Sequence, residues 1–320
     1  MHVRESYVRR ITKMVHVGNV PLGGGSPVVV ESMTKTDTRN VKATIKQIKS
    51  LEEVGCELVR IAVPDYEAAE ALAPIRQKSK IPIVADIHFN YKLALMALEA
   101  GADSVRINPG NIGNRENLIR TAEAARRHNV PLRIGVNAGS LDKALLQKYG
   151  APIPEALVES ITRTVSLLED IGFTEIVLSA KASRVPITIE TYRMIANRFR
   201  YPLHVGVTEA GFPPAGTIRS AVGIGTLLAE GIGDTIRVSL TAPPEDEVRV
   251  GHEILKALFL RERGPVLISC PTCGRCEVDL VRIVKQVEKK LVGVKEPTVV
   301  AIMGCVVNGP GEAADADVGI

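Results

Sequence analysis

Tryptophan is absent from the 320 residues, and only 3% are aromatic. Any core must therefore be aliphatic, drawn from the 45% of residues that are hydrophobic. Neither sign of charge is in surplus. Forty basic residues stand against 36 acidic ones, a formal net charge of +4, which excludes a nucleic-acid coat protein and leaves positive charge important only where it clusters. No apolar run approaches the length of a membrane span, and Met1–Arg10 lacks the apolar stretch of a secretion signal. Cysteine is scarce as well. Five cysteines, three of them within seven residues, do not read as a secreted disulfide framework. A cytoplasmic protein with no nucleic-acid or membrane partner is expected, long enough for one large domain and a smaller one.

What is present is a repeat of short β-branched runs and helical stretches. After an opening hairpin over Val15–Val20 and a Gly23–Gly25 turn, the runs are 28–31, 58–63, 81–85, 104–107, 132–136, 175–178, 203–207 and 235–238. Helix-like segments lie between them, several ending at Gly55, Gly101, Gly172 or Gly231. Eight strand–helix units predict an α/β fold, a (β/α)8 TIM barrel, with a doubly wound open sheet as the competitor.

In such a barrel, function sits at the C-terminal strand ends. Arg60, Asp86, His88, Arg106, Asn108, Arg133, Asn137, Lys181, His204, Glu209 and Arg237 fall at or near those positions. Four arginines and a lysine converging on one mouth would repel one another without an anion, and guanidinium forks suit phosphate oxygens. Each arginine taken singly could equally be a structural partner of an acid. His88 and His204 are candidates for acid–base chemistry, Glu209 for proton donation, and Asp86 for the same or for orienting an arginine.

Beyond Ser239 the pattern changes. A helix at Glu247–Phe259 and a linker at Arg261–Pro265 precede a small β-α-β unit. It carries Cys270, Cys273 and Cys276 in Ser-Cys-Pro-Thr-Cys-Gly-Arg-Cys, then Cys305 and Glu312 in Gly-Cys-Val-Val-Asn-Gly-Pro-Gly-Glu. Soft thiolates at this spacing hold zinc or an iron–sulfur cluster. The second close pair of a zinc ribbon and the single run of a ferredoxin are both missing. An all-thiolate set that includes Cys276 remains open, whereas Cys56 reads as a buried thiol.

Seven motifs carry a resemblance: Ser32–Thr38, Ala85–Asn90, Val105–Asn111, Arg133–Ser140, Gly206–Gly211, Ser269–Arg275 and Gly304–Ala313. In order, along essentially the whole chain, they resemble the 4-hydroxy-3-methylbut-2-enyl diphosphate synthase family of the methylerythritol phosphate route to isoprenoids. The resemblance implies a substrate-binding TIM barrel over 1–262 and a cluster domain over 263–320. It implies reductive ring opening and dehydration of 2-C-methyl-D-erythritol 2,4-cyclodiphosphate, with electrons from flavodoxin or ferredoxin. It further implies one 4Fe–4S cluster per subunit on Cys270, Cys273, Cys305 and Glu312, with Glu209 as catalytic proton donor. Arg60, Arg106, Asn108, Arg133, Asn137, Lys181, His204 and Arg237 would bind substrate. The working unit would be a homodimer whose active site crosses the subunits. Two departures accompany the match. Cys276 is an extra thiol, and the chain stops at Ile320, where members of the family continue, so a cluster domain truncated at its C-terminus is expected.

Remaining readings from other classes are a zinc-stabilised phosphate-binding protein and a phosphosugar aldolase that uses Lys181 as a Schiff base.

Overall fold

The computed structural model describes residues 8–294, 296–307, 309–314 and 316–320, with the side chain of Glu312 outside the described part. The chain forms two compact units, one over Tyr7–Leu258 and the other containing Phe259–Ile320.

In the first unit, β1 (Val15–Val17) and β2 (Val20–Leu22) form an antiparallel hairpin. Its two-residue turn starts at Gly18, whose φ of +56° suits glycine. Eight parallel strands follow: β3 (Val29–Met33), β4 (Leu58–Val63), β5 (Ile83–Ile87), β6 (Ser104–Ile107), β7 (Leu132–Asn137), β8 (Ile176–Lys181), β9 (His204–Val205) and β10 (Thr235–Ile236). Hydrogen bonding runs in the order β8-β7-β6-β5-β4-β3-β10-β9, and a parallel bridge between Leu178 and Leu203 joins the two edges. The sheet is a barrel and not an open doubly wound sheet.

Each strand leads to a helix: Val41–Glu53, Tyr66–Lys78, Tyr91–Glu99, Arg115–His128, Pro154–Asp170, Val185–Arg198, Ala215–Ala229 and Pro244–Ala257. Asn40, Asp65, Asn90 and Asn114 cap four of these helices, each accepting from a backbone N–H in the first turn. The sequence pattern does not reveal Tyr66–Lys78, because Pro74 lies inside it and normally reads as a helix breaker.

The hairpin explains how the barrel can carry charge higher up. Val15, Val17 and Leu22 are fully buried against Val29, Leu58, Val84 and Val177, near the N-terminal ends of four barrel strands. Burial of three such side chains contributes roughly 1.5–3 kcal/mol each. That apolar plug seals the bottom and leaves the upper interior for polar groups.

In the second unit, β11 (Val266–Ser269), β12 (Val299–Ile302) and β13 (Val318–Gly319) form a parallel sheet in that order. The helix Leu280–Leu291 buries Leu280 with Val300 and Ile302, and packs Ile283, Val284, Val287 and Leu291, each half-buried, against them. The third strand is a short addition to the expected β-α-β unit. No helix among the described residues is long and apolar enough to cross a membrane.

Candidate functional site

Side chains alternate across a strand, so residues two places beyond the plug point into the same interior. Glu31 follows Val29, Arg60 follows Leu58, and Asp86 follows Val84. Four places beyond Val177 stands Lys181. Where barrels usually stack branched apolar residues, this one stacks ions.

The contacts are specific. Arg133 donates from both terminal nitrogens to the two carboxylate oxygens of Glu31, at 2.6 and 2.5 Å, and each residue is only 1% exposed. Arg106 donates to Asp86 Oδ1 at 3.0 Å and to the Gly135 carbonyl at 2.9 Å, and lies 3.0 Å from His88 Nε2. Arg60 is less committed: its Nε is 3.7 Å from Asp86 and 3.2 Å from Met33 Sδ. Lys181 Nζ sits 3.0 Å from His204 Nε2. Arg237 lies 3.6 Å from Glu247, which also meets Lys35 at 3.0 Å and accepts from Ser32 at 3.1 Å.

Two glycines make room for these cations. A Cβ on Gly135 would collide with the Arg106 guanidinium, and one on Gly206 would lie 2.7 Å from Lys181 Nζ. Both therefore hold cations in place by lacking a side chain.

Six cations (Lys35, Arg60, Arg106, Arg133, Lys181, Arg237) thus meet three carboxylates, Glu31, Asp86 and Glu247. The structural-partner reading of single arginines holds for Arg133 and Arg106, yet the cluster keeps a cationic excess. Among the described residues, Arg133 Nε and Arg237 Nε are buried donors with no hydrogen-bond partner. Such donors are costly unless an acceptor arrives.

Electrostatics follow from burial and this crowding. Burial opposes the charge on Asp86, but Arg60, a hydrogen bond with His88 and Arg106 hold its carboxyl far below the usual range. Glu31 is likewise depressed, because Arg133 outweighs burial. Burial, then Arg60 and Arg237, push Lys181 well below the ordinary lysine value. His204 is pushed well down by burial and by Arg133, Lys181 and Arg60, so it is neutral. Its Nε2 faces Lys181 while Nδ1 lies 3.4 Å from Thr235 Oγ1, which makes it a relay or holder of Lys181.

A depressed histidine contributes stability that is complete above the unfolded value of about 6.5 and is lost as pH falls toward the folded one. Glu31 and Asp86 add the same sign of loss below about pH 4. The urea midpoint is expected to fall between pH 7 and pH 5, with His204 alone contributing up to about 1.4 kcal/mol per pH unit. An unchanged midpoint would contradict a neutral His204.

The other expected residues lie at strand ends and on the loops beyond them. Asn108 is buried, donates to Ser140 Oγ at 2.7 Å and accepts from the Gly110 amide at 3.1 Å. Asn137 ends β7 opposite Lys181. Glu209 is exposed, in the loop beyond β9, with φ of +53°, and Phe89, next to His88, has φ of +64°. Left-handed backbone at non-glycine residues tends to mark functional loops.

Sequence reasoning missed Glu31, Glu247 and Lys35. An acid inside the apolar run Val28-Val-Val-Glu31 was the available signal, since such residues are rarely buried unpaired. Glu247 carried none, because acids in a first helical turn are ordinary.

In the second unit, Cys270 follows β11 and Cys305 follows β12, and both line a cavity of about 250 Å³ with Met303, Gly304 and Gly309. Between Cys270 and Cys273, Thr272 has φ of +66°, strained for a β-branched residue. Cys273 is exposed. The Cys276 thiol donates to the Val278 carbonyl at 3.3 Å, packs with Cys270 against the apolar cluster and abuts Gly304. Among the described residues no group of three or more His, Cys, Asp or Glu side chains is gathered as for a metal. The expected ligand Glu312 cannot be placed, its side chain being outside the described part. The thiolate set fits a cluster site as far as Cys270 and Cys305, which share one cavity at the ends of paired strands. Cys56 is buried, donates to the Leu58 carbonyl at 2.9 Å, and is pushed up by burial, an inert thiol.

A TIM-barrel enzyme for an anionic, phosphorylated substrate is the class this interior defines, with a separate cysteine-bearing unit. Residues 12–252 match the GcpE TIM-barrel domain and residues 266–320 the GcpE protein C-terminal domain. The chain belongs to the GcpE family. It is 59% identical over 309 residues to the 4-hydroxy-3-methylbut-2-en-1-yl diphosphate synthase (flavodoxin) of Geobacter sulfurreducens, covering 97% of this chain and 88% of that one. It is 55% identical over 313 residues to the protein of the same name from Caldanaerobacter subterraneus subsp. tengcongensis, covering 98% and 88%. Among solved structures, a truncated 3-deoxy-D-arabino-heptulosonate 7-phosphate synthase from Thermotoga maritima superposes with a TM-score of 0.53 at 15% identity, over 90% of this chain and 95% of that one. That likeness shows the barrel fold alone.

Proposed function

We propose that the chain converts 2-C-methyl-D-erythritol 2,4-cyclodiphosphate into (E)-4-hydroxy-3-methylbut-2-enyl diphosphate, in isoprenoid biosynthesis. The cationic interior with its unpartnered Arg237 Nε carries this reading, because a diphosphate supplies both the missing charge and the missing acceptor. The names of the relatives carry the same synthase activity and flavodoxin. The reaction breaks one C–O bond to the diphosphate and one C–OH bond. Two electrons enter, and a proton joins the departing hydroxide as water.

Arg60, Arg106, Lys181 and Arg237 hold the diphosphate, with Asn108 and Asn137 at the rim. Arg133 acts from below, through its charge and its grip on Glu31. An arriving anion favours the charged form of Lys181 against the burial and neighbouring cations that disfavour it, and His204 holds its nitrogen at 3.0 Å. Glu209, on its exposed loop, supplies the proton that leaves as water. Cys270, Cys273, Cys305 and Glu312 would hold one 4Fe–4S cluster, which supplies one-electron storage and, at the harder carboxylate ligand, an exchangeable iron position. The working unit is a cytoplasmic homodimer with a site shared between subunits. The Schiff-base reading draws on the depressed Lys181 but leaves the cysteines without a role.

Iron and sulfide analysis after anaerobic purification tests the ligand set. About four irons and four sulfides per chain are expected in the unsubstituted protein and in Cys276→Ala, with a labile cluster in Glu312→Ala. Loss in Cys276→Ala with none in Glu312→Ala would mean an all-thiolate cluster, and zinc without sulfide would reject the redox reading.

A further inference from the structure

We propose that the outer face of the helix Leu280–Leu291 is the docking surface for an acidic electron-donor protein. This deepens the reading above, whose electrons must arrive from outside the chain. The helix is amphipathic: Leu280, Ile283, Val284, Val287 and Leu291 face the sheet. Arg282, Lys285, Gln286 and Lys289, spaced i, i+3, i+4 and i+7, share the opposite face and are exposed, and Lys290 flanks them.

Among the described residues these four cations have no ion-pair partner. Glu288, the helix's own acid, pairs with none of them within salt-bridge distance. Asp279 is committed to the cap, accepting from the Arg282 amide at 3.1 Å. Lys289 and Lys290 suit the negative end of the helix dipole, so a structural role accounts for them. Arg282 has no such account. It lies in the first turn, where a cation opposes the dipole, and the cap acid Asp279 accepts from its backbone amide and makes no ion pair with its guanidinium.

An open groove of about 470 Å³ runs along this face, lined by Asp279, Val281, Arg282, Lys285, Gln286 and Lys289. Val281 is 56% exposed, and Val278 before the helix is 49% exposed. Apolar side chains among unpaired cations make a surface for a protein bearing carboxylates, since charge steers the encounter and desolvated apolar contact holds it. The site is close to where the electrons are needed. The helix is about 18 Å long, and its first turn begins four residues after Cys276, in the segment that bears Cys270 and Cys273. Each docking event delivers one electron, the donor being oxidised by one unit, so two events complete the two-electron reaction.

The test uses the cluster-loaded enzyme and the triple variants Arg282→Gln/Lys285→Gln/Lys289→Gln and Arg282→Glu/Lys285→Glu/Lys289→Glu, with iron content checked in each. Turnover is measured with reduced flavodoxin and separately with a reduced viologen, and flavodoxin binding is titrated directly. With flavodoxin, kcat/KM and affinity are expected to fall about 10–100-fold in the charge-reversed variant, and less in the neutral one. The viologen-driven rate should stay within about twofold of the unsubstituted enzyme, whose flavodoxin rate should fall between about 50 mM and about 300 mM salt. Unchanged flavodoxin kinetics and binding would show a merely solvated face and overturn the proposal. Equal losses with both reductants, or loss of iron in both variants, would assign the face to the enzyme's own structure and overturn it too. If the unsubstituted protein forms no product with either reductant, the proposed function fails, while the titration still decides the docking surface.

Discussion

Replacing Arg133 with methionine is expected to destabilise the barrel by about 3–5 kcal/mol, the usual cost of stranding one partner of a buried ion pair. Glu31 would remain inside, fully buried, with its bidentate partner gone. Lys181 and Arg60 reach it only through the field, and His204, 3.6 Å away, is neutral. The melting temperature should fall by roughly 10 °C. The double variant Glu31→Leu/Arg133→Met should recover most of this, because a well-packed apolar pair replaces a desolvated one. A single variant as stable as the unsubstituted protein would show that solvent reaches Glu31.

Arg60→Met is expected to behave differently. Its guanidinium is the least committed in the cluster, and its charge disfavours those of Arg106, Lys181 and Arg237. Removing it relieves that repulsion but also withdraws the charge that most favours ionised Asp86, so the two offset and stability should change little. Catalysis should suffer, with kcat/KM falling by about 10²–10³, the worth of one charge-assisted fork on the diphosphate, or about 3–4 kcal/mol. Activity retained in Arg60→Met would remove Arg60 from substrate binding. Destabilisation matching that of Arg133→Met would make it a structural ion.

The contrast between these arginines marks what the sequence could and could not reveal. Eight β-branched runs separated by helical stretches were enough for the barrel, since period and spacing are properties of the chain itself. Arg60, Arg106, Arg133, Lys181 and Arg237 were legible as a set through their places on successive strands. Which of them is spent on a partner was not. Glu31 lies 102 positions from Arg133, and only closure of the barrel brings that pair together, while Arg237 meets Glu247 through the turn from strand to helix. Gly135 and Gly206 were equally silent, because a glycine that clears space for a cation looks like any other until the cation is in place. The helix Tyr66–Lys78 was masked by Pro74, and β13 by being only two residues long. In the cysteine unit the spacing singled out the segment, and the structure brings two of its cysteines, Cys270 and Cys305, to one cavity. That the Cys276 thiol donates to the Val278 carbonyl was not legible, since cysteine spacing does not orient a thiol.

Turnover is the most direct measurement. Anaerobically purified, cluster-loaded protein would be given the cyclic diphosphate and a quantified low-potential reductant, with product followed by phosphorus NMR. One linear allylic diphosphate should form for every two electrons consumed, and none without reductant or with Cys305→Ser. Ring opening without electron consumption, or a linear product that retains the hydroxyl, would contradict a reductive dehydratase.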